Sequence, residues 1–305
     1  MPSSNHTTVR SNRIKDGSPL FDVAVVLLTG ILCLITLYPM YYILIMSVSD
    51  SAAVLTRSVF LYPKGFQLES YAILFRDNAM WRAYGNTIIY TASVTLLVLL
   101  TSALGAYPLT VSNLKHRKLF VAYLLIPMYF SGGIIPSFLL INRMGLYGTR
   151  WAIILPAAVN IWYIILTRTY LSGLPEEIRE SAKIDGANHF QILFKIYLPI
   201  SKPILAVVAI YSIVAMWNSW FNAQIYLPTE DLQPLQMYLK RVLVQQTVDL
   251  TKLNSQEIEG AITQMYSAMQ LKYSMIIFTT LPIIFTYPFF QKYFIKGVVV
   301  GSLKG

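Results

Sequence analysis

The sequence predicts an all-α integral membrane protein with six transmembrane helices. Three observations point there. Of 305 residues, 55% are hydrophobic and only 12% charged, where an ordinary globular domain carries about 25% charged residues. Mean hydropathy is +0.54. Six charge-free runs, residues 23–49, 83–114, 119–142, 151–167, 203–229 and 273–291, lie near or above the roughly 20 apolar residues that cross a bilayer. Lipid offers the backbone no hydrogen-bond partner, so each run is expected to be helical.

Taken in order, residues 1–21 form a polar tail rich in Ser, Asn, Thr and Arg. The six-span domain covers 22–291, and 292–305 form a second tail. The first run is too long for the roughly 7–15-residue apolar region of a cleavable signal, so it is expected to remain as an anchor. It holds the single cysteine, Cys33, which reads as apolar filler and rules out a disulfide within the chain. The fourth and sixth runs are the shortest. Arg168 and Lys272 beside them can reach the interface with long side chains.

Six spans put both termini on one side. Fourteen of the 24 Lys and Arg residues fall on that side, in short segments, and ten fall opposite, spread over longer loops with eight acids. Short basic loops mark the cytoplasm, so both termini are expected inside. The net charge of +10 is then a topology signal rather than a nucleic-acid footprint, since no soluble element carries a basic stripe with aromatics. The outer loops are 50–82, 143–150 and 230–272. In the last, Ile258, Ile262, Met265 and Met269 recur at helical spacing, predicting a short amphipathic helix before the final span.

The longest inner loop, 172–203, is the most informative. "SGLPEEIRESAKIDG" reads as a short helix with Pro175 at its first position and Glu176 and Glu177 at the positive end of its dipole. Gly186 suits a left-handed stop. Phe190, Leu193, Phe194 and Tyr197 then recur at i, i+3, i+4 and i+7, predicting an amphipathic helix. Pro199 and Pro203 punctuate the approach to the fifth span. Small Ser181 and Ala182 permit close approach of a partner. Glu180 can pair with a partner cation, and Asp185 can fix the elbow through a backbone hydrogen bond. The pattern alone fits a helix seated in a partner's groove or a helix resting on lipid headgroups.

The same stretch resembles the EAA motif of ABC-importer permeases, E-A-A-x-x-x-G followed by I-x-L-P. Here it stands as Glu180-Ser181-Ala182, Gly186, then Ile196-Tyr197-Leu198-Pro199. The longer form of the sugar importers is matched by Asp185-Gly186-Ala187, Phe194 and Pro203. Ser181 for the first Ala is the one departure. "YPKGFQLESYAILF" and "QKYFIKGVVVGSLKG" are similar to carbohydrate-importer permeases. "FSGGIIPSFLLINRMGLYGTRWAIILP" and "WNSWFNAQIYLPTEDLQPLQMYLKRVL" look like the polysaccharide and oligosaccharide branch, related to the smaller permease of the maltose type.

The resemblance implies the type I ABC importer (MetI-like) permease fold in a bacterial plasma membrane. It implies a homologous second permease, two ATP-binding subunits, and an extracellular solute-binding protein that delivers an oligosaccharide, uronate-containing ones included. Residues 176–198 would be coupling helices seated in the ATPase. Glu180, Ser181, Ala182, Asp185, Gly186, Ala187, Phe190 and Phe194 would make that contact, and the C-terminal tail, with Lys292, Lys296 and Lys304, a second. This chain has no G-x-x-x-x-G-K-[ST] motif to cradle phosphates, so ATP and Mg belong to the partner and no cofactor is expected here.

Sugar recognition calls for aromatic faces beside amides. The resulting pathway candidates are Asn160, Tyr163, Trp217, Asn218, Trp220 and Asn222, with interhelical bonding or an interfacial belt as their plain alternatives. His6, His116 and His189 are far apart, so no metal site is expected. A permease for another small polar solute remains an alternative. An ion-coupled carrier is a more distant one, because such carriers keep an ionisable residue in mid-membrane and these runs hold none.

Overall fold

One long helix holds the central core together. The computed structural model describes residues 19–244, 269–286 and 288–291. In it α4 (Asn78–Ala106) is 29 residues long, roughly 44 Å at 1.5 Å per residue. Asp77 starts it by accepting a hydrogen bond from the Ala79 amide at 2.7 Å, which satisfies one of the free donors at a helix start.

Before it lie α1 (Pro19–Ser47), α2 (Ser51–Leu55) and α3 (Glu69–Arg76). After it come α5 (Arg117–Tyr129), α6 (Ile134–Arg143), α7 (Trp151–Ala157), α8 (Ile161–Leu171) and α9 (Glu176–Ile184). Next are α10 (His189–Ile200), α11 (Lys202–Trp217), α12 (Phe221–Tyr226), α13 (Leu235–Val244) and α14 (Met269–Gln291). Four helical stretches are long and apolar enough to cross a membrane: Leu20–Ser47, Asn78–Thr110, Trp151–Leu171 and Met269–Gln291. Two bent pairs raise the number to six among the described residues.

One bend interrupts the run 119–142 and the other falls just before the run 203–229. α5 and α6 meet at 108°. Residues 130–133 break the helix, where Gly133 takes φ +84°, a left-handed value that glycine adopts without a Cβ clash. α10 and α11 meet at 80°, and Pro203 stands at the start of α11, where a missing N–H costs nothing. The fifth run breaks after Trp217, and the fourth breaks at Ala158–Asn160. The second span starts earlier than its charge-free run, so Arg82 lies inside α4. The expected amphipathic helix through Ile258, Ile262 and Met265 lies outside the described residues, as do the tails 1–18 and 292–305.

α4 packs along α8 and α11. Their core gathers Tyr90, Val94, Val98, Ile153, Tyr163, Val208 and Met216. Thr95 donates to Ser212 across the α4–α11 interface at 3.2 Å. A Cβ added at Gly105 would come within 3.2 Å of the Ile164 side chain, so the missing side chain is what lets α4 and α8 approach there. α1 contrasts with this packing. None of its most apolar stretch is buried by the rest of the chain. Its C-terminal part is anchored, where Tyr38 and Tyr41 donate to the Phe60 and Leu61 carbonyls and Ile45 and Met46 pack with Val54 and Val59.

Candidate functional site

Two clusters of candidate residues sit at opposite ends of α4. At its C-terminal end the chain turns through Pro108–Thr110. There Ala106 and Tyr107 form a small core with Leu171, Ala182, Ile192, Leu193 and Tyr197. This core carries α9 and the first turns of α10. Arg179 of α9 is 2% exposed. It donates to the Thr110 carbonyl at 3.2 Å and pairs with Glu176 one turn earlier. The pair ties α9 to the end of α4, and a buried arginine needs such partners.

The elbow between α9 and α10 is a backbone lock. Gly186 takes φ +79°. Its N–H donates to Lys183 O at 3.0 Å, and the Ala187 N–H donates to Ala182 O at 2.9 Å. These two bonds are the Schellman pair that closes a helix with a left-handed glycine. Asn188 then starts α10. Its side chain accepts from the Gln191 amide at 2.9 Å while the Gln191 side chain accepts from the Asn188 amide at 2.9 Å, a reciprocal cap.

The expectation for Gly186 therefore holds in detail, and three others change. The Asp185 carboxylate holds nothing in place among the described residues; Asn188 does that work. Pro175 caps α9 from outside, and the helix begins at Glu176. The stripe Phe190, Leu193, Phe194, Tyr197 also splits. Leu193 and Tyr197 are buried, but Phe190 and Phe194 face outward at 69% and 44% exposure. Residues 192–197 form a π-helical turn. That wider winding puts Ile192 and Tyr197, five apart, on the inner face.

What remains bare on this loop is a coherent surface. Glu180, Ser181 and Asp185 are exposed. Ile184 is 86% exposed between them and Phe190. Ala182 points inward at 5%, so in this chain it is a packing residue. The locked elbow thus presents small, acidic and large apolar side chains that are exposed among the described residues.

At the N-terminal end of α4 the chemistry differs. Arg82 pairs with Asp231 at 2.6 Å, and Arg241 pairs with Glu230. Asn86 donates to the carbonyls of Asp231 and Gln233 at 2.7 and 3.2 Å and accepts from Arg150 at 2.9 Å. Tyr238 donates to Asp77 at 2.5 Å. Burial, then the bond to Asp77 and its charge, push the Tyr238 hydroxyl far above its ordinary range, so it stays a donor. These bonds fix residues 230–241 on the end of α4.

Of the six pathway candidates, two are packing residues. Tyr163 belongs to the central core. Trp217 is 6% exposed and donates through Nε1 to Thr279 O at 3.0 Å. Asn160 caps α8 by accepting from the Tyr163 amide at 3.3 Å. Asn218, Trp220 and Asn222 are open, at the break between α11 and α12. Lys240 of α13 joins them, with Nζ 4.1 Å from the centre of the Trp220 ring and 2.5 Å from Gln224 Oε1. Sequence reading missed Arg179, Asn188 and Lys240. The first two left a signal: Arg179 lies three residues from both Glu176 and Ala182, and N-x-x-Q is a cap pattern. Lys240 left none, being 20 positions from Trp220 in the sequence.

Comparison with known proteins places both ends in context. Residues 119–228 match the sequence pattern of the family described as "Binding-protein-dependent transport system inner membrane component". Protein LplC of Bacillus subtilis (strain 168) is 37% identical over 286 residues, which cover 94% of this chain and 95% of that protein. The chain belongs to this family of transport permeases. The permease is also 31% identical to the polygalacturonan/rhamnogalacturonan transport system permease protein YtcP of the same organism, over 94% of this chain and 99% of that one. Its fold matches a chain of a bacterial ABC transporter involved in the import of the acidic polysaccharide alginate, with TM-score 0.81 and 35% identity, over 90% of this chain and 96% of the other. The permease is therefore a multi-pass membrane component of a binding-protein-dependent importer.

Proposed function

We propose that this permease is one of a homologous pair that moves oligosaccharides, uronate-bearing ones included, from an extracellular solute-binding protein into the cell. ATP hydrolysis is supplied by two separate subunits that seat the α9–α10 elbow. In this reading the 172–203 loop and both termini face the cytoplasm, and residues 50–82 and 230–244 face outward. The single observation that carries it is the elbow itself. Its inside is locked by Gly186, Asn188 and Arg179, while its outside leaves Glu180, Ser181, Ile184, Phe190 and Phe194 bare. A resting lipid-surface helix has no need of so rigid a hinge, whereas a lever driven by a motor does.

The cargo is supported by the named cargo of YtcP and of the alginate importer, and by the open amides and aromatic at the α11–α12 break. Exposed amides inside a membrane segment are costly unless they face water or a partner. ATP binding would close the ATPase pair and carry the elbow with it. The loaded binding protein must then favour the same closed state, because coupling between two sites is reciprocal.

The test is reconstitution. The permease should purify with a homologous permease and an ATP-binding subunit. In proteoliposomes, an oligosaccharide-loaded binding protein should stimulate ATP hydrolysis together with uptake. Uptake driven by an ion gradient without those subunits would reject the reading.

A further inference from the structure

Among the described residues, the proposed cargo path contains a cation with no carboxylate partner. Each neighbouring charge on this end of α4 already has a partner: Arg82 with Asp231, Arg241 with Glu230, and Asp77 with Tyr238. Arg150, bonded to the neutral Asn86 side chain, and Lys240 are the exceptions, and of the two it is Lys240 that stands at the α11–α12 break. Among the described residues no carboxylate pairs with it, and it is held by the Trp220 ring at 4.1 Å and the neutral Gln224 oxygen at 2.5 Å. An ammonium over a Trp face is attracted by the ring's quadrupole, but the contact leaves its positive charge unneutralised.

We propose that Trp220, Gln224 and Lys240 form a subsite that selects the carboxylate of an acidic sugar unit. This rests on the importer reading above and adds to it the residue that reads charge. Trp220 is 39% exposed and offers an apolar face on which a sugar ring can stack. Lys240 covers the ring in the cargo-free state and, as the sugar displaces it from that face, supplies a charge-assisted hydrogen bond to a uronate carboxylate. Gln224 holds Lys240 in place until cargo arrives and then accepts from a sugar hydroxyl. Asn218 stands in the same break, and its side-chain oxygen is 3.5 Å from Gln236 Nε2, so the polar wall continues past the lysine. A neutral oligosaccharide would find the stacking face and the amides but would leave the ammonium without an anion.

The experiment uses the complete complex in proteoliposomes with its binding protein. The probes are a trigalacturonide and the same trisaccharide with its carboxyl groups reduced to alcohols. Initial uptake rates are compared for wild type, Lys240→Gln and Lys240→Arg. Direct binding of each probe to the detergent-solubilised complex, without the binding protein, is followed by tryptophan fluorescence. Lys240→Gln should weaken binding of the acidic probe by roughly tenfold to a hundredfold, the usual strength of a hydrogen bond to a charged group. It should leave the neutral probe unchanged, and Lys240→Arg should restore most of the preference. A purely structural lysine would depress both probes alike, and that result overturns the proposal. An unchanged acid-to-neutral ratio in a transporting Lys240→Gln complex overturns it too, while leaving the importer reading intact. A wild-type complex that moves no oligosaccharide overturns both.

Discussion

The two ends of α4 are built on opposite plans. At the C-terminal end, a buried arginine, a left-handed glycine and a reciprocal cap lock two helices at a fixed angle. The outer surface there leaves Glu180, Ile184 and Phe190 exposed. At the N-terminal end, ion pairs and hydrogen bonds from Asn86 hold a loop onto the helix, and the exposed surface carries an aromatic ring, amides and a cation with no carboxylate partner among the described residues. A lever must not bend, so its hydrogen bonds are spent inside the hinge. A surface that meets passing cargo must keep polar groups open. The difference follows from function, and substitutions at the two ends should fail in different ways.

The largest effect is expected at the elbow. A Cβ at Gly186 would meet nothing within 4 Å, so Gly186→Val suffers only from the left-handed backbone, at about 1–2 kcal/mol. The chain can relieve that strain by opening the elbow. Uptake should then fall to near background while ATP hydrolysis loses its response to loaded binding protein, and the protein still inserts. Gly186→Asn, which tolerates this conformation better, should keep most transport. Both are read by paired uptake and hydrolysis assays. Normal transport by Gly186→Val would break the comparison at its strongest point.

Next comes Arg179→Met. It strips the Thr110 carbonyl of its donor, a loss of about 1–3 kcal/mol when the group is buried. The complex should melt earlier and hydrolyse ATP in a less coupled way. Asn188→Ala removes one half of the cap and should cost about 1 kcal/mol, visible as a smaller melting shift with partial uncoupling. Arg82→Ala, at the other end, should do least. Its side chain is 59% exposed and that of its partner Asp231 70%, and such surface pairs contribute about 0–1 kcal/mol. An Arg82→Ala effect as large as that of Arg179→Met would erase the contrast between the ends.

The same contrast explains what the sequence could and could not disclose. The six apolar runs are visible because lipid demands long charge-free stretches, and the elbow is visible because glycine and capping residues act on their own neighbours. The break at 130–133 is marked by Gly132 and Gly133, while that at 218–220 is harder to see, since an apolar run continues through it. The π-helical turn is harder still. It puts Ile192 inside and leaves Phe194 outward although the spacing suits a buried stripe, and only the packing of Ile192 and Tyr197 with Tyr107 reveals it. Tyr163 and Trp217 carry the right chemistry for sugar but are consumed by the core. Lys240 carries chemistry that no local pattern marks. It acquires meaning when α13 folds back over the α11–α12 break.

The most direct test of the central claim places a photo-crosslinking benzophenone side chain at position 184, the most exposed apolar residue of the elbow at 86%. Irradiation of membranes containing the assembled complex should give an adduct with the ATP-binding subunit, and its yield should change between nucleotide-free and ATP-bound states. Adducts with lipid alone, indifferent to nucleotide, would contradict the account.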